Sequence, residues 1–534
     1  MTDPLETDAA TPASAPTVKV AGAAALIAAL TVLARIAGFA RTTVFSYAVG
    51  DRGLADIYYA ANTIPNIVFE LVAGGALASL IVPLLAQHVA AGDRARVNAV
   101  TSALLTWVLS LTVPLAVVIA LAAGPIAGLL HKVPPGEQDL AASMLRVFAP
   151  QLPLYGVGIV LTGVLQAHHR FAWPVIAPLL SSLTVLSSYL TYAAIDGARS
   201  GFEHLTRAGE YSLSVGTTLG VVVLALCLLI PLSRLRLRLR PSYRFPGDEG
   251  RQAVRLGWAG AVTVGSQQVV ILLIVGLGTQ VLAQYNYAQT MFLLPWAVLA
   301  VPLATAVYPR LSAAAARHDE PAYAEQLAGT TRSVMLLACL GAGALAALAG
   351  PGARLIGSPG SAPGIVGFAP GLIGWSLFAI LSRALYARGA TVAAAVASAA
   401  GWAVAGVVVV VISATAGGTA QLVGLGAANA AGMSVIGALL VHAVRKNAGP
   451  DALAGLARVT VVGIVAAAVA ALAGWATVAG VGHLIGGTPT VVGSLVQGML
   501  GGAVVVVVFV AVAFPLDRRD MAPLAMTLRR RIRR

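Results

Sequence analysis

The sequence predicts an all-α, polytopic integral membrane protein with about 14 transmembrane helices: two pseudo-symmetric six-helix lobes followed by two C-terminal helices. Three observations lead there. The 534-residue chain is 58% hydrophobic and only 10% charged, against about 25% charged in ordinary soluble domains, and its mean hydropathy is +0.87. A water-soluble fold of this length has no interior able to hide so much apolar surface. The apolar residues fall into repeated blocks of membrane-crossing length, and the basic residues fall between those blocks on alternate connections.

A helix that crosses a bilayer needs about 20 mostly apolar residues. Fourteen stretches qualify: 20–49, 54–86, 98–130, 140–167, 172–195, 211–232, 252–277, 280–309, 327–349, 364–386, 391–413, 421–444, 455–480 and 489–515. With the N-terminus inside, inside segments hold 26 of the 34 Lys and Arg residues. Outside loops hold five, and Arg35, Arg41 and Arg146 lie within spans. Lys and Arg accumulate on the cytoplasmic side, so both termini are expected to be cytoplasmic and the number of spans even. The segments are then a disordered cytoplasmic tail (1–19), an N-terminal lobe (20–232), a basic cytoplasmic linker (233–251), a C-terminal lobe (252–445), a final helix pair (455–515) and a basic tail (516–534). Residues 1–18 carry Asp3, Glu6 and Asp8 and no basic n-region, so they do not read as a signal peptide.

The halves echo each other. Tyr59-Ala60-Ala61-Asn62-Thr63 in span 2 has a counterpart, Tyr287-Ala288-Gln289-Thr290, in span 8. Val82-Pro83 closes span 2 as Tyr308-Pro309 closes span 8. Such parallel repeats are common in transporters, with the substrate between the halves; chance matching in low-complexity apolar sequence is the other reading. The linker run from Ser233 to Arg240 alternates Arg and Leu. It is either a positive-inside anchor or an attractor of anionic headgroups or of a pyrophosphate lipid.

An ionisable residue within a span costs roughly 2.5–3.5 kcal/mol on insertion scales unless it is paired, hydrated or reached by a ligand. Five are placed there: Arg35 and Arg41 in span 1, Asp56 and Glu70 in span 2, and Arg146 in span 4. Three cations and two anions in one lobe suit an anionic or zwitterionic ligand, and arginine's planar fork suits phosphate. Against that reading stand mutual pairing of the arginines with Asp56 and Glu70, a helix N-terminal role for Asp56, and snorkelling of Arg146. Gly38, Pro65, Gly74 and Gly75 are candidate hinges, or sites of close helix packing. No catalytic constellation, Walker A motif or cofactor site is visible. His168-His169 reads as interfacial, no metal site is expected, and Cys227 and Cys339 sit in apolar runs. Nucleic-acid binding is not expected, because no folded basic domain presents such a surface.

The stretches Ala34-Arg35-Ile36-Ala37-Gly38-Phe39-Ala40-Arg41, Ala55-Asp56-Ile57-Tyr58-Tyr59-Ala60-Ala61, Ile64-Pro65-Asn66, Gly75-Ala76 and Val82-Pro83 resemble the opening of the MurJ (MviN) lipid II flippases, in the multidrug/oligosaccharidyl-lipid/polysaccharide exporter superfamily. The family's R-x-x-G-x-x-R signature is matched by Arg35, Gly38 and Arg41. The resemblance implies a carrier in the bacterial cytoplasmic membrane, not an enzyme. It would move undecaprenyl-pyrophosphate-linked disaccharide-pentapeptide (lipid II) between leaflets by alternating access. Span 1 arginines would meet the headgroup, spans 13 and 14 (455–515) would form a lipid-tail groove, and membrane lipids and cell-wall synthesis proteins would be partners.

The chain departs from the family in three places. Glu70 stands where many members carry arginine. Thr290 and Leu293 stand where well-known members carry arginine and glutamate. No second-lobe carboxylates suited to sodium are found. A paralogous exporter of another polyprenyl-linked glycan, or a drug/ion antiporter, is therefore the alternative. A membrane glycosyltransferase would need larger acidic outer loops than 196–210 provides. A non-transporting scaffold would tolerate loss of the arginines.

Overall fold

The computed structural model describes residues 17–71, 77–130, 133–247, 249–486 and 490–518, and no strand occurs among them. Ten helices are long and apolar enough to cross a membrane, or eleven if the bent pair Pro359–Phe368 and Gly371–Ala387 is one span. The expected fourteen is therefore reached only by adding the first, second and seventh stretches, which do not pass that test among the described residues. Span 2 includes residues outside the description, and span 7 offers only a shorter apolar helix, Ala261–Leu277. The first helix begins at Thr17, inside the segment 1–19; the rest of that tail and residues 519–534 lie outside the described residues.

In the first half the helices are α1 (Thr17–Ala48), α2 (Leu54–Phe69), α3 (Leu77–Ala90), α4 (Arg94–Leu121), α5 (Ala123–Gly128), α6 (Pro135–Phe148), α7 (Gln151–Ala167), α8 (Ala172–Asp196), α9 (Arg207–Leu226) and α10 (Leu229–Ser233). α8 packs on both α1 and α9, α2 on α6, and α3 and α4 on α7. The second half holds α11 (Glu249–Leu277), α12 (Leu282–Pro295), α13 (Val301–Ala316), α14 (Glu320–Ala347), α15 (Ala349–Leu355), α16 (Ala362–Phe368), α17 (Gly371–Ala387), α18 (Thr391–Thr415) and α19 (Gly418–Ala448). There α18 packs on α11 and α19, and α19 also receives α16 and α17. The closing pair, α20 (Leu456–Ile485) and α21 (Val491–Leu516), packs on α14. The halves meet where α2 and α3 touch α11, and where α12 touches α1 and α2.

The sequence echo has a structural counterpart. Between α12 and α13 the backbone widens into a π-turn at Trp296–Ala300, flanked by Pro295 and Pro302. Proline offers no N–H, so the ordinary helical ladder breaks and re-registers there. α2 also ends in π geometry, at Glu70 and Leu71. The offset of 228 that relates Tyr59 to Tyr287 carries Glu70 onto Val298, inside the later π-turn.

Small residues set helix contact distances, as expected where lipid removes the hydrophobic drive between helices. A Cβ on Gly374 of α17 would fall 2.1 Å from the Met433 carbonyl oxygen of α19. Gly38 differs: a Cβ there meets nothing within 4 Å, so close packing does not explain it. Gly374→Ala is expected to lower stability by about 1–3 kcal/mol through overpacking, whereas Gly38→Ala leaves stability unchanged or slightly raised. Thermal unfolding of the purified variants in detergent checks both; equal melting temperatures would refute the packing assignment.

Candidate functional site

At one end of the molecule six hydrogen bonds among the described residues join the two halves. Asp56, 4% exposed, is in the first turn of α2. Its Oδ2 accepts the Gly53 N–H at 2.9 Å, and its Oδ1 accepts the Ala283 N–H at the start of α12 at 2.8 Å. The carboxylate thus caps the N-termini of two helices, one from each half, where unpaired N–H groups and the positive dipole ends favour an anion. Asp51 Oδ2 accepts the Ser358 hydroxyl at 2.8 Å and Gln284 Nε2 at 3.3 Å. The Tyr287 hydroxyl donates to the Gly50 carbonyl at 2.6 Å, and the Tyr47 hydroxyl to the Arg354 carbonyl at 3.2 Å. Arg199 donates to the carbonyl of Gly357, whose φ of +84° and close approach to the Tyr47 ring suit only glycine. Behind this layer, Arg354 Nε donates to Ser494 Oγ of α21 at 3.0 Å.

Beneath the latch lies a polar cavity of about 300 Å³, lined by Arg41, Tyr58, Tyr59, Asn62, Asn66, Tyr155, Tyr189 and Asn286, among others. It adjoins a second cavity of about 390 Å³ that adds Arg35, Gly38, Phe39, Leu293 and Leu294 and shares Arg41, Tyr155 and Thr290. Tyr58 is fixed by hydroxyl contacts with Tyr189 at 2.8 Å and Thr217 at 2.7 Å. Asn66 Nδ2 donates to the Asn62 side-chain oxygen at 3.0 Å, while Asn62 Nδ2 is buried and unpaired. Neither Arg35 nor Arg41 makes an ion pair with a described carboxylate; hydroxyls and amides surround Arg41 instead. A third cavity of about 500 Å³ is apolar. It shares Phe39 and Leu294 with the second, and runs past Pro295, Leu345 and Pro351 to Gly498 of α21. The cationic and apolar cavities are therefore neighbours, walled in part by the same side chains.

Of the residues the sequence singled out, the structure brings Arg35, Arg41 and Gly38 to these cavities and places three others elsewhere. Asp56 belongs to the latch, both its oxygens being taken by backbone N–H groups. Arg146 is exposed on α6, outside the cavity linings. Glu70 is half-buried at the end of α2, also outside them, and pairs with neither arginine. Pro65 is buried within α2; Gly74 and Gly75 lie outside the described residues. His168 Nδ1 is bonded to the Val164 carbonyl, and no metal-binding group of His, Cys, Asp or Glu occurs among the described residues.

A family profile for the lipid II flippase MurJ matches residues 45–485. The chain belongs to the MurJ family. Relatives include a lipid II flippase MurJ of Burkholderia cenocepacia, 29% identical over 344 residues, which are 61% of this chain and 63% of that protein. A probable lipid II flippase MurJ of Rhizobium tropici is 29% identical over 293 residues, 52% of each chain. These alignments span between half and two thirds of the relatives' length. Among solved structures, a lipid II flippase MurJ in an inward closed conformation superposes with a TM-score of 0.69 at 16% identity, covering 92% of this chain and 99% of that one. An inward-facing MATE family multidrug transporter of the MOP superfamily gives 0.60 at 14% identity, over 79% of this chain and 98% of that one. At such identities the likeness is one of fold.

Within this MurJ-family frame, the cavity side of α12 carries Asn286, Thr290 and Leu293 and no charge. Residues that the charge-based reading passed over are the tyrosine shell and the asparagines. Their signal was spacing: Tyr59, Asn62 and Asn66 recur at i, i+3 and i+7, one face of a helix. Replacing Asp56 with Ala leaves two helix starts uncapped, at about 1 kcal/mol for each cap. Spin labels at exposed Glu203→Cys and Thr415→Cys are expected to show a longer, broader distance distribution in that background. An unchanged distribution would remove Asp56 from the latch.

Proposed function

We propose that the chain is a lipid II flippase that works by alternating access without ATP hydrolysis, in the bacterial cytoplasmic membrane with both termini cytoplasmic. The observation that carries this reading is Arg41: a guanidinium within the first helix, without a carboxylate partner among the described residues, facing a polar cavity that adjoins one lined by Arg35, which in turn adjoins an apolar one. A bare cation in that setting calls for an anion from outside the chain. A diphosphate offers oxygens in the geometry that arginine's fork matches. The disaccharide-peptide would pass through the hydroxyl- and amide-lined space. The polyprenyl tail would follow the apolar cavity toward α20 and α21 and stay in lipid.

The family match and the relatives' printed names support this cargo, and the structure supports the mode. With the outer end latched, the cavity is set to receive its ligand from the other side. A cation exporter would call for carboxylates in this cavity, and its described lining contains none.

The test is the fraction of lipid II exposed on the outer leaflet after depletion of this protein, with rescue by wild type, Arg35→Ala or Arg41→Ala. Wild type is expected to restore exposure. Arg41→Ala should fall at least tenfold short, because a hydrogen bond to a charged group is worth about 1.5–3 kcal/mol. Exposure that is independent of this protein in a strain with no second flippase would exclude lipid II as cargo; full rescue by both variants would exclude the arginines as its site.

A further inference from the structure

The basic linker is a built element. α10 stops at Ser233, Arg236 takes a left-handed φ of 51°, and the chain then runs extended along α4. The Arg238 N–H donates to Asn98 Oδ1 at 3.3 Å, the Arg240 N–H to Ser102 Oγ at 3.1 Å, and the Ser242 N–H to Thr106 Oγ1 at 3.0 Å. The series closes with Trp107 Nε1 donating to the Tyr243 carbonyl at 3.1 Å and the Ser110 and Tyr243 hydroxyls 2.7 Å apart. The register has a simple cause. Four residues of helix advance about 6.0 Å and two residues of extended chain about 6.6 Å, so every second strap amide meets the next polar side chain of the 98, 102, 106, 110 stripe. Leu235, Leu237 and Phe245 pack against the core beneath α3, α4 and α7. Arg234, Arg236, Arg238, Arg240 and Arg244 are all exposed.

Depth along α4 says what this row faces. From Trp107 to the end of α5 at Gly128 is about the 20 residues that cross a hydrocarbon core. Trp107 and Tyr243, both more than half exposed, with rings 5.3 Å apart, then sit at one membrane interface, where such aromatics concentrate. The arginine row lies at and just outside that level.

We propose that residues 234–244 form a binding strap for anionic phospholipid headgroups of the cytoplasmic leaflet. The strap anchors the first half of the molecule to that leaflet through a fixed row of guanidinium groups. The proposal rests on the cytoplasmic placement of the linker given above. A flexible loop of equal charge would attract the same lipids diffusely; the pinned backbone makes this a site.

The experiment is titration of the full-length protein in neutral detergent with phosphatidylglycerol, phosphatidylcholine or undecaprenyl pyrophosphate, reading bound lipid by native mass spectrometry. Wild type should prefer phosphatidylglycerol over phosphatidylcholine. Each arginine removed should weaken that preference about fivefold, so R234Q/R236Q/R238Q/R240Q should abolish it, while R310Q/R317Q, which removes two exposed arginines elsewhere, should not. Loosening the pins with N98A/S102A/T106A should weaken it with every charge retained. Equal phosphatidylglycerol binding by wild type and the quadruple variant would overturn the proposal, as would equal loss in R310Q/R317Q. Strap-dependent binding of undecaprenyl pyrophosphate without strap-dependent binding of phosphatidylglycerol would assign the strap to cargo instead. Because binding is read without turnover, loss of the preference speaks to the strap and leaves flipping to the depletion experiment.

Discussion

The first N–H groups of a helix have no acceptor in their own ladder, and in a membrane protein water is scarce to supply one. α2 and α12 begin side by side, so the same deficit arises twice at one place. Asp56 answers both with one carboxylate. The position of the interlobe joint, the end at which the cavity is closed and the approach of α12 to α1 and α2 all depend on that contact. It also explains why a carboxylate is tolerated at a site where a lone charge would be expensive.

A joint made of hydrogen bonds suits a carrier. Each is worth about 0.5–1.5 kcal/mol net, somewhat more where a charge is involved. The six together are of the same order as the roughly 5.5 kcal/mol that takes a two-state equilibrium from 1:99 to 99:1. The link from Arg354 to Ser494 extends the joint to α21, so the helix pair nearest the apolar cavity is tied to the latched end.

Much of this was legible in the sequence, and the exceptions have physical causes. Helix class was readable because hydropathy is a local property. For Asp56 the sequence left a ligand role and a helix N-terminal role open, and the structure shows the cap: a sequence shows that a buried carboxylate needs a partner but not which N–H group a second lobe will bring. Arg146, for which the sequence left a cavity role and snorkelling open, is exposed on α6. The tyrosine shell escaped a reading built on formal charges, since hydroxyls solvate a guanidinium without announcing themselves as ions. The 98–110 stripe has an obvious period of four, yet its partner is a strap more than 130 residues later, and only the near-equality of helical and extended repeats joins them.

The lining of the cavities is divided unequally. Both arginines, the tyrosines Tyr58, Tyr59, Tyr155 and Tyr189, and the asparagines Asn62 and Asn66 come from the first half; the second half contributes Asn286, Thr290 and apolar side chains. Under the proposed alternating access, the groups that hold an anion therefore need not change partners: a bound headgroup would stay on the first-half wall while the other wall moves past it. The free energy of binding is then nearly the same in both states, and a ligand with no preference between states does not trap the carrier in either. This makes the uncharged face at Thr290 and Leu293 intelligible: arginine or glutamate there would tie the headgroup to both walls and add an interaction to be broken at each transit.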